Sequence, residues 1–351
     1  MKPKSSSPIG IKAIAEALKV SIGTVDRALH GRPGVSPKTL AVVLKMAEKL
    51  NYRPNIAARS LKLNRTLRIA VHLPEQIASF FDLLREGVRA AAAANLGVRV
   101  DLDFRSYPRM GEGDVELLRQ DADRAYDGII LTVGDPKRID PVLRQLQSRN
   151  VPVVCVVSDA PHGPRLASVS VDTFVSGSIA AELLAMALTH KGTVAAVTGS
   201  LNTLDHGEKL RGFAATLAVM APRIQMLAAV ESHDRPEDAY RKTLTLLKNN
   251  PRLGGLYVNT ANSLPVLRAL EEKNLLGRVQ VVTTDLFPEL IPLIDSGNVL
   301  ATLHQRPFTQ GKIAFETLLQ YLLDRSLPKP ITRLAPHIIL RSNLSLFSSQ
   351  M

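Results

Sequence analysis

Apolar residues in the first fifty positions recur at helical spacing. Ile11, Ile14, Ala15 and Leu18 fall at i, i+3, i+4 and i+7, one face of a helix. Val25, Ala28 and Leu29 repeat that spacing a little further on. Between the two runs, Lys19-Val20-Ser21 reads as a tight connection, and the Ser21 hydroxyl can accept the amide hydrogen bonds that open a second helix. The pattern predicts helix, turn, helix, with Ile22, Gly23, Asp26 and Arg27 turned to solvent. Such a helix suits a DNA major groove, although an ordinary helical hairpin fits the spacing equally well. Ser36-Pro37 marks a third helix start, followed by Leu40, Val43, Leu44, Ala47 and Leu50 at amphipathic spacing. These three helices predict a small all-α domain over 9–53, after a polar Ser- and Pro-containing tail at 1–8 that is expected to be disordered.

Residues 54–65 read as a linker. Pro54 can open a short helix there, but one so short is unstable alone in water and would order only against something else. From 67 the period changes. Strand-like runs (RIAVHL, VRVDLDF, DGIILTV, VPVVCVV, ASVSVD, TVAAVTG, IQMLAAV, GGLYVNT, VQVVTTD, VLATLHQ) alternate with helical runs near 80–95, 139–149, 174–190, 207–219, 236–249, 262–273 and 308–324. This alternation predicts an α/β body of parallel sheets, doubly wound, and its length favours two lobes over one. A ligand would then sit in the cleft at the C-terminal strand edges. Phe80, Phe81, Asp159, Asp172, Asn259, Asp285 and Gln305 fall at those edges.

Charge changes the picture. Through Arg65 the chain holds eight Lys and five Arg against Glu16, Asp26 and Glu48, so +10 of the formal +12 sits in the first 65 residues. A basic module on a near-neutral body implies a polyanionic partner, and favours the DNA reading over the hairpin. Absence of Trp and 4% aromatic content leave few platforms for stacking single-stranded bases. The single cysteine, Cys155, lies in an apolar strand and allows no disulfide within one chain. The basic N-terminus has no apolar stretch behind it and no run of 18 apolar residues occurs, so neither a signal peptide nor a membrane span is expected; a cytoplasmic protein is.

Enzyme chemistry finds no purchase. The eight histidines are scattered without metal-ligand spacing, and no G-x-S-x-G elbow, phosphate loop or dinucleotide fingerprint occurs. Asp101/Asp103 and Asp121/Asp123 read as solvated element faces. No catalytic residue, metal or cofactor is expected.

Beyond these readings the stretch VSIGTVDRALHGRPGVSPKTL, followed by LNYRPNIAARSL, resembles the DNA-binding head and hinge of the lactose-repressor (LacI/GalR) family. The body, in SFFDLLREGV, DGIIL, NVPVV, VDTFVSGSIAAELL, LRGF, VVTTD and TLHQRP, is similar to the type I periplasmic sugar-binding fold those repressors carry. The resemblance implies that Ser21, Ile22, Gly23, Thr24 and Arg27 read bases and phosphates. It implies that Asn51, Tyr52, Asn55 and Arg59 contact the DNA backbone, and that Ala58 and Leu61 enter the minor groove. Leu61 is apolar on a basic helix, so it can wedge between base steps; its other possible role is to cap the junction of head and body. In the body the resemblance implies lobes of about 66–171 plus 306–332 and 172–305 plus 333–347. Phe80 and Phe81 would pack on a sugar ring, or serve as core. Asp159, Asp172, Asn259, Asp285 and Gln305 would bind hydroxyls, or cap strand ends. Gly207 stands where the family commonly has Arg, so His206 or Lys209 would substitute, and a larger polyol or glycoside becomes possible.

The function expected is a ligand-controlled transcription regulator, a repressor, binding a pseudo-palindromic operator as a homodimer and responding to a sugar or polyol between its lobes. A solute-binding protein for sugar uptake is the alternative, set aside for want of a signal sequence; an architectural DNA-binding protein with an inert body is another. The Leu61→Ala substitution is expected to lower operator bending and operator affinity together; a circular-permutation bending assay that finds the bend unchanged would discard the wedge.

Overall fold

The computed structural model describes residues 11–29, 33–50 and 65–348. The tail at 1–8 and, Arg65 excepted, the linker lie outside them, as do Asn51, Tyr52, Asn55, Ala58, Arg59 and Leu61.

Helices α1 (Ile11–Leu18) and α2 (Ile22–Leu29) join through a turn in which Lys19 is left-handed, φ 53°. Ser36 caps α3 (Pro37–Lys49) by accepting from the Thr39 amide at 3.1 Å, with Pro37 at the first helical position. Ile14, Ala15, Val25, Ala28 and Val43 form the buried centre. Leu44 departs from expectation. It is exposed, because it stands one helical step beside Val43, while Met46 packs against the core on the other flank.

Beyond Arg65 the chain builds two sheets. The first is six-stranded in the order β12-β5-β4-β3-β1-β2, from β1 (Leu67–Pro74), β2 (Val100–Tyr107), β3 (Gly128–Leu131), β4 (Val153–Val156), β5 (Ala167–Val171) and β12 (Ile331–Leu334). All its pairs are parallel. Alternation along β1 decides what covers each face. Leu67, Ile69, Val71 and Leu73 pack under α4 (Ala78–Ala94) and α12 (Pro307–Asp324), whereas Ala70 faces α5 (Asp114–Asp121) and α6 (Pro136–Ser148). Cys155 is buried, as a strand residue should be, and burial pushes its thiol up to about 12.

The second sheet runs β13-β11-β10-β9-β6-β7, with β8 also on β6. Its strands are β6 (Lys191–Thr198), β7 (Arg223–Met226), β8 (Val230–Glu231), β9 (Gly255–Val258), β10 (Gln280–Thr284), β11 (Ala301–His304) and β13 (His337–Ile339), the last antiparallel. One face packs against α7 (Thr173–Ala187) and α8 (Leu204–Met220), the other against α9 (Pro236–Asn249), α10 (Leu264–Glu272) and α11 (Ile291–Asp295).

Several expectations need correction. The run IQMLAAV splits into β7 and β8, and α5, β12 and β13 carry too weak a periodicity to be read in advance. Arg333 and Leu334 pair with Ser170 and Val171 in the first sheet, so the last crossing falls after 334 rather than after 332. Asp121 is no solvated residue. It is fully buried, 3.3 Å from the equally buried His72 Nε2, with Arg105 at 2.8 Å and Arg124 at 2.9 Å. Among the described residues no helix is long and apolar enough to cross a membrane.

Both lobes use one packing device. A Cβ added to Gly177 on α7 would stand 1.9 Å from the Lys209 carbonyl oxygen, and one added to Gly212 on α8 2.0 Å from that of Phe174. Gly87 and Gly311 set the same close approach between α4 and α12. Gly177→Ala is therefore expected to cost about 1–3 kcal/mol by overpacking. Gly207→Ala, whose Cβ meets nothing nearer than 3.7 Å, should be neutral or slightly stabilising. Denaturant midpoints measure both; equal midpoints for the two variants would refute the close-approach account.

Candidate effector site and DNA-reading helix

At the start of α2 the Ser21 hydroxyl accepts from the Thr24 amide at 3.0 Å and lies 2.8 Å from the Thr24 hydroxyl. The cap fixes the first turn, so Ile22, Gly23 and Arg27 stand exposed and Thr24 half-buried. A Cβ on Gly23 would stand 4.0 Å from Arg27 Nη2, and one on Gly34 4.0 Å from Arg27 Cδ. With no side chain at 23, the guanidinium is unobstructed along the outer face of the helix. One apolar side chain and one forked donor are what this turn offers a groove: contact with thymine methyls and a bidentate pair with guanine.

In the body, left-handed non-glycine residues gather where strands end: Ile77 after β1, Val157 after β4, His233 and Asp234 after β8, Asp285 after β10, Arg306 after β11. Backbone held this way is costly, and five other left-handed residues of the body, Asn150, Thr189, His190, Asn274 and Arg325, follow helices instead.

Behind those edges in the second lobe lies a buried polar layer. Lys209 is 1% exposed. Its ammonium donates to Asp205 Oδ2 at 2.8 Å and to Gln305 Oε1 at 2.7 Å. Gln305 in turn donates from its amide nitrogen to Asp285 Oδ2 at 2.6 Å and from its backbone to Asp285 Oδ1 at 2.8 Å. Asn259 donates to the His206 carbonyl at 3.2 Å, and His206 Nδ1 faces the Ser200 amide at 3.1 Å. Burial pushes the Asp285 carboxyl up to about 6, against the pull of the Gln305 hydrogen bonds and the Lys209 charge.

Between the lobes, towards the strands that connect them, lies a cavity of 460 Å³. Ser158 and Asp159 after β4 line it from the first lobe, and Asp172, Phe174, Asp205 and Glu208 from the second. Across the cleft, Arg235 of the second lobe meets Glu112 of the first at 3.3 Å.

The expected site residues thus divide. Asp159 and Asp172 line the cavity, but both carboxylates are engaged. Asp159 is held by Arg165 and the Ala160 amide; Asp172 caps α7 through the Val175 amide at 3.1 Å and meets Arg333 at 3.3 Å. His206, Lys209, Asn259, Asp285 and Gln305 come together in the buried layer. Phe80 and Phe81 do not join them. Both are buried in the first core, ring centroids 4.9 Å apart and edge to face, because α4 begins on the left-handed Ile77 and turns its first rings onto the sheet. Sequence reasoning missed two wall residues. Phe174, with the Arg211 guanidinium 4.5 Å above its ring, is the aromatic that lines the cavity. Asp205 was missed because α8 starts a turn before the expected 207; the i, i+4 pairing of Asp205 with Lys209 was the available signal.

Residues 10–55 match the model of bacterial regulatory proteins of the lacI family, and residues 69–326 that of the periplasmic binding protein domain. The chain belongs to the lacI family of regulators. The regulator is a DNA-binding protein whose body has the fold of sugar-binding proteins. Catabolite control protein A of Priestia megaterium is 24% identical over 342 residues, covering 94% of this chain and 97% of that one. The transcriptional repressor PurR of Aliivibrio fischeri (strain ATCC 700601 / ES114) is 25% identical over 353 residues, covering 95% and 98%. Among solved structures, GanP, a glucose-galactose binding protein from Geobacillus stearothermophilus, superposes with a TM-score of 0.74 at 26% identity, over 80% of this chain and 99% of that one.

A carboxyl raised on folding stabilises the native state at low pH and loses that contribution as pH rises through its folded value. Asp285 is therefore expected to contribute stability fully present below about 3.8 and lost by about 6. The buried His304, pushed down to about 4 by desolvation, works the opposite way over the same range. The difference between wild type and Asp285→Asn isolates the carboxyl: the variant's relative melting temperature should rise between pH 4 and pH 6.5, by the equivalent of roughly 3 kcal/mol. A pH-independent difference would mean that Asp285 ionises freely.

Proposed function

We propose that the chain is a transcriptional repressor acting in the cytoplasm, whose grip on a pseudo-palindromic operator is set by a sugar or polyol bound between its two lobes. The observation that carries the reading is the pairing, in one chain, of a Ser21-capped helix with a free Arg27 face and a body whose two lobes both line one polar cavity. Its work is binding rather than catalysis. The cavity's volume lies within the range for small-ligand sites, and its wall is polar enough for hydroxyls. Names of similar proteins support the same reading, since they include a repressor and a glucose-galactose binder.

Two heads require two copies, one per half-site about a twofold axis. A homodimer is supported by an apolar groove of 800 Å³ on the second lobe, between α9 and α10, where Tyr240, Leu264, Leu267 and Leu293 lie. Closure of the lobes on the effector shifts the two copies and so the spacing of the segments that carry the heads. The effector biases that equilibrium only through its different affinity for the two lobe arrangements. Of the residues expected to bind it, Asp159 and Asp172 stand on the cavity wall, and Asp285, Gln305, Lys209, Asn259 and His206 form the buried layer behind it, which holds Asp205 on the wall; those assigned to DNA are Ser21, Ile22, Gly23, Thr24 and Arg27. The runner-up, a solute-binding protein for uptake, leaves the lacI-type head without a task.

Arg27→Ala is expected to lower specific operator affinity by about 1–3 kcal/mol while leaving the effector's affinity unchanged. Titration of operator and random duplex with the full chain measures it; equal affinity of wild type and variant for the operator would remove Arg27 from the reading helix.

A further inference from the structure

Ser158 and Asp205 face the same interlobe cavity from opposite lobes. Ser158 is 3% exposed and Asp205 5%. Among the described residues Ser158 Oγ and Asp205 Oδ1 have no hydrogen-bond partner, and both are shut off from bulk water. A carboxylate oxygen in that condition is destabilising, because burial has removed its water and nothing has replaced it. The other oxygen, Oδ2, is occupied by Lys209. Two more atoms of the second lobe, Asn259 Oδ1 and Thr203 Oγ1, are buried without partners in the same way. Of these four, two are pure acceptors and two are hydroxyls, each with one hydrogen to donate and lone pairs to accept; of the two that line the cavity, Asp205 Oδ1 can only accept and the Ser158 hydroxyl can do either.

The charge on the wall points in the same direction. Its carboxylates Asp159, Asp172, Asp205 and Glu208 each face a cation, namely Arg165, Arg333, Lys209 and Arg211. Arg211 and Arg333 are the cations among the cavity's described lining residues, and both are paired. A phosphate or carboxylate brings acceptors only and would meet Asp205 Oδ1 as a like charge. A neutral hydroxyl brings the donor that Asp205 lacks and makes a charge-assisted hydrogen bond.

We propose that Asp205, with Ser158, holds one hydroxyl of the effector between the lobes and thereby selects sugars or polyols that carry no anionic group. This rests on the interlobe cavity being the effector site. Opening of the lobes exposes both oxygens, and closure on a donor satisfies them, so the same contact that selects the ligand favours the closed arrangement.

The test uses the full-length protein and matched pairs of probes: D-glucose, D-galactose and D-ribose, each beside its phosphate, with D-glucuronate, sorbitol and inositol added. Thermal shift finds the binders and calorimetry their affinities. At least one neutral probe is expected to bind, and its anionic counterpart to bind at least tenfold more weakly. Asp205→Asn should weaken the neutral probe about tenfold or more and, by leaving Lys209 without its carboxylate, strengthen the phosphate relative to it. Ser158→Ala, which leaves the ion pair intact, should weaken the neutral probe severalfold and not strengthen the phosphate. A phosphorylated sugar that binds wild type better than its neutral parent overturns the selectivity. Neutral binding that Ser158→Ala leaves unchanged, and that a folded Asp205→Asn also leaves unchanged, overturns the contact while the cavity stands. Neutral probes that still bind but are displaced only by substitutions elsewhere, such as in the groove at Leu264, overturn the cavity itself.

Discussion

One ammonium group, that of Lys209, organises the cleft side of the second lobe. A lysine at 1% exposure is stable as a cation only if its ammonium finds hydrogen-bond acceptors and its charge a counterion. Asp205, one turn earlier on the same helix, supplies the counterion, and Gln305, almost a hundred residues later, supplies a neutral acceptor. Gln305 is thereby fixed, and it fixes Asp285 twice over. The ends of β10 and β11 and the start of α8 are locked together by this chain of bonds. Removing Asp205 would leave the buried Lys209 charge without its counterion, and removing Lys209 would leave Asp205 without its cation.

Rigidity in the layers is matched by freedom between them. The chain passes from one sheet to the other at Asp172, near Arg306 and after Leu334, and the ion pair across the cleft away from those strands, Glu112 with Arg235, is half-exposed on both sides and weak. Each lobe meanwhile presses its paired helices together at glycines so closely that neither can absorb strain internally. Under the proposed function, such a body would answer a ligand by moving whole lobes rather than by deforming either one.

Much of this was legible in advance. The caps Ser21 and Ser36, the strand–helix alternation and the concentration of positive charge before residue 66 are local or additive properties. Each follows from side-chain type and spacing, without knowledge of the rest of the chain. Asn259, Asp285 and Gln305 were placed at strand edges by the same logic. Asp121 and Leu44 were misjudged because burial depends on what arrives from elsewhere: Asp121 is enclosed by His72 and Arg105 from two different strands, and Leu44 looks past the helices it was expected to meet.

The amino-acid sequence by itself determined a basic helical head, a two-lobed α/β body and the strand edges at which Asn259, Asp285 and Gln305 stand, since periodicity and charge survive any rearrangement of distant parts. Only the tertiary structure decided which polar side chains are free to act. Asp159 and Asp172 are tied to Arg165 and Arg333, Phe80 and Phe81 are turned into the core, and Asp205 keeps one oxygen unmatched. Hydrogen-bond partners are chosen by proximity in space, and a chain that brings residue 209 against residue 305 makes that choice only once it has closed.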